Sequence, residues 1–296
     1  MSASTLNLCI AGIGGYALNH HAVALELEQR GELRLLATCD PRHEKLREAA
    51  DKLAFSQVKL LVGDHLVLDS CFGNAVSHNV HNLLFFAGKD GVFSWAEPRE
   101  ARCELYRAYP IEGADTVFSE MTTTDGIPLR VALSHACKSE RDQLEVIHCE
   151  RAEIRIRPYE SVQILHRNGK RKFLETDANA RLFRDNFLHY LAYLRGRAER
   201  PRTGLTDCRP FVVWNALNYL AARHIQTIPR AVCEEDDRSV FVTGIEDIMR
   251  KFIRTGAFPS EQKVSWGRRG GKALSGEVSG LRTCILEMAE REKEFI

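Results

Sequence analysis

The stretch 6–17, "LNLCIAGIGGYA", constrains this chain more than any other. A short apolar run leads into Gly12-Ile13-Gly14-Gly15-Tyr16-Ala17, and helix-forming residues follow as far as Arg30, before Gly31. The spacing is G-x-G-x-x-A, set between an expected strand and an expected helix. Each small residue has a physical reason. Gly12 permits the tight strand-to-helix turn, Gly14 lets backbone approach a pyrophosphate, and Ala17 allows close helix–strand packing. The helix start then offers free N–H groups to an anion. A second apolar run, 33–39, ends at Asp40, where a carboxylate can bind a ribose hydroxyl pair. Arg42 follows and suits a 2′-phosphate instead. The pattern points to a dinucleotide held by Gly12, Gly14, Ala17, Asp40 and Arg42, with NAD and NADP both open.

The order strand, helix, strand is continued by a charged helix expected over 42–53, which implies a parallel pair with a crossover. The pattern then changes. "VKLLVGDHLVLD" reads as two short strands about Gly63-Asp64, and "NAVSHNVHNLLFFAG" as a helix closed by Gly88. Period-two alternation follows. Ala101, Cys103 and Leu105 oppose Glu100, Arg102 and Glu104. Ile127, Leu129, Val131 and Leu133 share a face, and Ala152, Ile154 and Ile156 oppose Glu153, Arg155 and Arg157. Such alternation marks an antiparallel sheet with one face on a core. Helices are expected over 180–195 and 207–223, and in "GIEDIMRKFIRTG" and "LRTCILEMAEREKEF". "SWGRRGGKALSGEVSG" reads as an exposed loop. The expected architecture is α/β plus α+β: a partial Rossmann-like parallel unit, then an open, mainly antiparallel sheet covered by helices on one face. The expected divisions are 1–57 for the nucleotide unit, 58–230 for the sheet domain and 231–296 for a C-terminal helical extension.

Bulk properties exclude several classes. The formal net charge is +1, so no strong field favours nucleic acid or an anionic membrane. No apolar run is long enough to span a bilayer. The opening "MSASTLN" lacks the flank and apolar stretch of a signal peptide, so a cytoplasmic protein is expected. The nine cysteines are scattered singly, which fits reduced thiols packed as small hydrophobes rather than a zinc framework. "GRRGGK" misses the phosphate-loop spacing, and no G-x-S-x-G of a serine hydrolase occurs.

Taken in order, "IAGIGGYALNHH", "LLATCDPR", "VLDSCFGNAVSHNVHNLLFFAG" and "DNFLHYLAYLRGRAERPRTGLTDCRPFVVWNALNYLAARH" resemble the Gfo/Idh/MocA oxidoreductases. The resemblance implies a Rossmann domain, an open sheet that carries a sugar or cyclitol site, and NAD(P)-dependent oxidation of a hydroxyl. It also implies an active-site helix on which an acid precedes a histidine by one turn. The matching positions here are Asn74 and His78. An imidazole can bind a substrate hydroxyl or carry its proton, whereas Asn74 can orient but not act as a carboxylate. The middle of the family pattern is absent. The chain passes from "EAADKLAF" almost directly to "SQVKLLVGDHLVLDS", and no Glu-Lys-Pro motif with its catalytic lysine occurs. A second function class therefore stands beside the enzyme: a non-catalytic relative serving in ligand binding or subunit assembly. His78 and His81, three apart, lack a third ligand, so no metal is expected. In the family the outer sheet face commonly joins subunits. A homo-oligomer through the face carrying Arg102, Glu104, Arg155 and Arg157 is the corresponding expectation, with a sugar-like small molecule as the other partner.

Overall fold

A computed structural model describes residues 6–11, 17–39, 70–74, 76–138, 144–157, 160–175, 181–237 and 239–293. The chain divides into two compact units. The first takes its described residues from Met1–Asp64 and Asp177–Gly204, the second from His65–Thr176 and Leu205–Ile296.

In the first unit, strand β1 (Leu6–Ala11) pairs parallel with β2 (Leu33–Cys39), and α1 (Ala17–Gln29) connects them. Gly31 takes a left-handed φ of 73° and turns the chain from helix to strand. The expected helix over 42–53 and hairpin over 58–68 lie outside the described residues. The cover that the structure does describe comes from far along the chain. Helix α3 (Leu182–Leu194) brings Leu191, with Phe187 and Leu188 beside it, onto Leu27 and Leu33. Arg195 fixes the join, donating from Nη1 to the Glu32 carboxylate at 2.6 Å and from Nη2 to the Glu32 carbonyl at 2.7 Å. His20 meets the rings of Phe183 and Phe187 at 5.1 and 6.1 Å, and His21 is fully buried. The boundary expected at 57/58 thus leaves out the segment that completes this unit.

The second unit opens with α2 (Ser77–Phe86), followed by β3 (Pro98–Arg107), β4 (Thr116–Thr123) and β5 (Pro128–Ser134), antiparallel neighbours. Strand β10 (Ile225–Thr227) extends this sheet beyond β3 in parallel, and β13 (Lys272–Leu274) pairs antiparallel with the other half of β3. A separate four-stranded meander comprises β6 (Glu145–His148), β7 (Ala152–Arg157), β8 (Ser161–His166) and β9 (Arg171–Glu175). Strands β11 (Cys233–Glu235) and β12 (Val240–Val242) form a small pair. The helices α4 (Leu205–Ala222), α5 (Ile245–Thr255) and α6 (Leu281–Lys293) complete the unit.

The alternation along β3 and β5 has the expected parity, but the sheet is covered on both faces rather than one. Ala101, Cys103, Leu105, Val117 and Met121 pack on Val80 and Leu84 of α2, on Trp214 and Leu217 of α4, and on Ile285 and Met288 of α6. Ser119 fixes α4 by accepting from Trp214 Nε1 at 2.8 Å and donating to Asn218 Oδ1 at 2.6 Å. On the opposite face Tyr106 and Phe118 pack on Val240, Ile245, Phe252, Phe258 and Trp266. The rings meet edge to face, Phe118 on Phe252 at 5.5 Å and Tyr106 on Trp266 at 4.9 Å.

Three expectations change with this cover. Glu104, assigned to an outer polar face, is 3% exposed. It accepts from the Tyr106 hydroxyl at 2.5 Å, from the Ser260 backbone N–H at 3.2 Å and from the Ser260 hydroxyl. A buried carboxylate is tolerable there because donors surround it. The residues after 230 are not a helical extension, since they supply one face of the core and a strand of its sheet. The stretch expected as an exposed loop contains buried Trp266 and β13. A Cβ on Gly270 would stand 1.8 Å from the Cys103 carbonyl oxygen, so only glycine lets the chain pass β3 at that point.

Candidate functional site

The site is built at the start of α2. The Asn74 N–H donates to the Ser70 carbonyl at 2.9 Å, and Ser77 Oγ donates to the Asn74 carbonyl at 2.9 Å. These bonds hold the turn from which the helix starts. Val80 and Leu84, one turn apart, face the core. That phase sends His78 outward: it is exposed in the first helical turn, and Asn74 is exposed before it. The structure therefore brings both predicted residues to one helix start. Gly12, Gly14, Asp40 and Arg42 lie outside the described residues, and Ala17 is the first residue of α1.

A carboxyl group that sequence reasoning missed stands beside this turn. Glu145 opens β6 and is 5% exposed. Its Oε1 accepts from Asn79 Nδ2 at 3.1 Å and from Asn82 Nδ2 at 3.3 Å, so two amides one turn apart on α2 grip one carboxyl oxygen. Burial pushes the Glu145 carboxyl above the usual range; Asn82, Asn79 and nearby His78 pull the other way. Glu145 Oε2 and Asn79 Oδ1 are both buried, and neither has a hydrogen-bond partner among the described residues. The sequence signal was Glu145 itself, in register with Ile147 on the apolar face of an alternating strand.

His81 has structural partners. His81 Nε2 lies 3.2 Å from the Asp207 carbonyl, and its ring centroid is 5.4 Å from that of Trp95. His135 is exposed, and its N–H donates to the Asp115 carbonyl at 2.8 Å. Among the described residues no cluster of three or more His, Cys, Asp or Glu is placed to hold a metal ion, and no helix is long and apolar enough to cross a membrane. No disulfide joins the described cysteines; Cys71, Cys103 and Cys284 are buried. An open groove of about 460 Å³ is lined by Glu97, Pro98, Thr124, Arg209, Val213 and Ser275, among others. Arg209 Nη1 lies 2.9 Å from the Glu97 carboxylate. Neither His78 nor Glu145 lines the groove.

No protein-family model and no curated protein matches the sequence. Solved structures do match. The super-repressor mutant of Gal80p from Saccharomyces cerevisiae aligns with a TM-score of 0.50 at 6% identity, over 72% of this chain and 94% of its own. An oxidoreductase from Agrobacterium radiobacter, solved with NAD+, L-tartaric acid and magnesium, aligns at 0.48 and 12% identity over 73% and 96%. The WlbA dehydrogenase from Bordetella pertussis, solved with NADH and UDP-GlcNAcA, aligns at 0.48 and 13% over 71% and 94%. Most of the matched structures are named as oxidoreductases or dehydrogenases, and the Gal80p structure is named as that of a super-repressor mutant. At such identities the likeness is one of fold.

Proposed function

We propose that this chain is a nicotinamide-dependent oxidoreductase of reduced competence, acting on a hydroxyl of a sugar or cyclitol-like substrate. The carrying observation is the frame around the glycine motif. Strand β1 ends at Ala11, α1 begins at Ala17, and β2 runs parallel to β1, so G-x-G-x-x-A occupies the connection where a pyrophosphate loop belongs. In this reading Gly12 and Gly14 admit the phosphates and Asp40 or Arg42 reads the ribose. The bound nicotinamide would supply the hydride acceptor. His78 takes the substrate hydroxyl proton, Asn74 orients the substrate or the ring, and Glu145 holds its carboxyl behind the same turn. The missing Glu-Lys-Pro lysine and the short middle segment leave the nicotinamide end poorly held. Titration with NAD(H) and NADP(H) should therefore give weak complexes, and a sub-micromolar Kd would overturn the idea of a half-built crevice. Nicotinamide absorbance over a panel of sugars and cyclitols tests turnover. Activity lost in His78→Ala but kept in a distant surface variant establishes the enzyme. No binding of either cofactor favours the second reading, a non-catalytic ligand-binding or assembly subunit, for which the absent lysine motif is the supporting observation.

Self-association belongs to this proposal. The five-stranded sheet is covered on both faces within the chain, so we assign association to the four-stranded sheet, which carries Arg155 and Arg157.

A further inference from the structure

The four-stranded sheet ends on β9, which pairs with β8 on one side and with no strand on the other among the described residues. All five of its residues are exposed. The His166 N–H donates to the Lys170 carbonyl, which sets the phase of the antiparallel ladder. By the alternation of such ladders, Lys172 and Leu174 turn their backbone groups toward β8, while Arg171, Phe173 and Glu175 turn theirs to the open edge.

We propose that this edge is a self-association site: two copies pair their β9 strands antiparallel about a two-fold axis at Phe173, joining their four-stranded sheets edge to edge. A symmetric pairing that joins the outward N–H and C=O groups can be centred on any residue of β9, either on an outward residue or between two of them. Centring on Arg171, Lys172 or Glu175 sets like charges face to face, and centring on Leu174 overlaps only three of the five residues of the strand. Centring on Phe173 places ring beside ring and puts Arg171 opposite Glu175 of the partner subunit, twice by symmetry. Ring pairs and opposite charges facing each other across strands favour pairing, and like charges oppose it. Edge charges block unwanted pairing when like signs meet; the arrangement Arg-Lys-Phe-Leu-Glu instead complements itself in one register.

The inference rests on the four-stranded sheet as the association surface, and is independent of catalysis. Sedimentation velocity of the intact chain over a concentration series tests it. Arg171→Glu and Glu175→Arg should each weaken the dimer roughly tenfold by creating two like-charge pairs. The double swap should restore it to within about threefold of the parent. Phe173→Pro removes an outward N–H only and should abolish the dimer while circular dichroism stays unchanged. A dimer insensitive to these changes but lost on charge reversal of Arg155 and Arg157 overturns edge pairing and leaves face-to-face association. A parent chain that stays monomeric at every concentration overturns both.

Discussion

The two antiparallel sheets of the second unit follow the same alternating rule and end in opposite conditions. In the five-stranded sheet both faces are closed: Val117 and Met121 lie under α4, and Tyr106 and Phe118 under α5 and the chain around Phe258 and Trp266. In the four-stranded sheet only Glu145 and Ser161 are buried, and none of its residues belongs to a buried core cluster. Alternation assigns residues to faces, but what covers the second face is decided elsewhere in the chain, here by residues after 228. A polar residue on the outer register is therefore exposed in one sheet, as Arg155 is, and buried in the other, as Glu104 is.

The comparison breaks most directly by truncation on each side. Trp214→Ala, beneath the five-stranded sheet, should destabilise by about 3–5 kcal/mol through lost burial and the cavity left behind. Ile164→Ala, half-buried in the four-stranded sheet, should cost about 1 kcal/mol or less. Chemical denaturation measures both, and equal losses would erase the distinction.

A glycine pair sharpens it. Gly270→Ala drives a Cβ into the immovable Cys103 carbonyl and should cost roughly 1–3 kcal/mol. Gly169 stands in the β8–β9 turn with φ +85° and open space around it, so Gly169→Ala should cost only its backbone strain, about 1 kcal/mol. Urea unfolding midpoints that rank the two in the reverse order would show that β13 is less tightly held against β3 than its geometry implies.

Much of this was legible in the sequence where local chemistry decides. The bounds of β1 and β2 follow from apolar runs ended by glycine or acid, and α5 from Gly244 and Gly256, both left-handed and flanking it. The helix carrying His78 was legible from its apolar spacing. What long-range packing decides was not. The "KAL" of β13 is too short to show a period and follows two glycines, so it reads as a loop until Ala101 and Arg102 of β3 are found beside it. Glu145 becomes part of the site only because β6 is laid against Asn79 and Asn82 of α2.

The smallest effect concerns that carboxyl. Burial raises the Glu145 pKa in the folded chain above its ordinary 4.5. The folded state then prefers the protonated form, so the contribution to stability is complete below the unfolded value and is lost as pH rises through the raised one. Glu145→Gln keeps the shape and removes the titration. The variant should gain on the parent by no more than about 1 kcal/mol at alkaline pH, with the difference closing on acidification. Thermal unfolding across that range measures it. Parallel pH profiles for the two proteins would show that Glu145 ionises as freely as an exposed residue.

The reach of Leu191 onto Leu27 and Leu33 has a consequence for the chain as it is made. During synthesis the first two strands leave the ribosome long before the helix that covers them. At ordinary elongation rates the interval is on the order of ten seconds. Through that time Leu27 and Leu33 lack their later cover, and strands β3 to β9 must all emerge before Leu191 arrives. Chains halted before residue 182 should therefore be held by chaperones or cleaved between Leu6 and Cys39, whereas chains released after Arg195 should resist the same protease there.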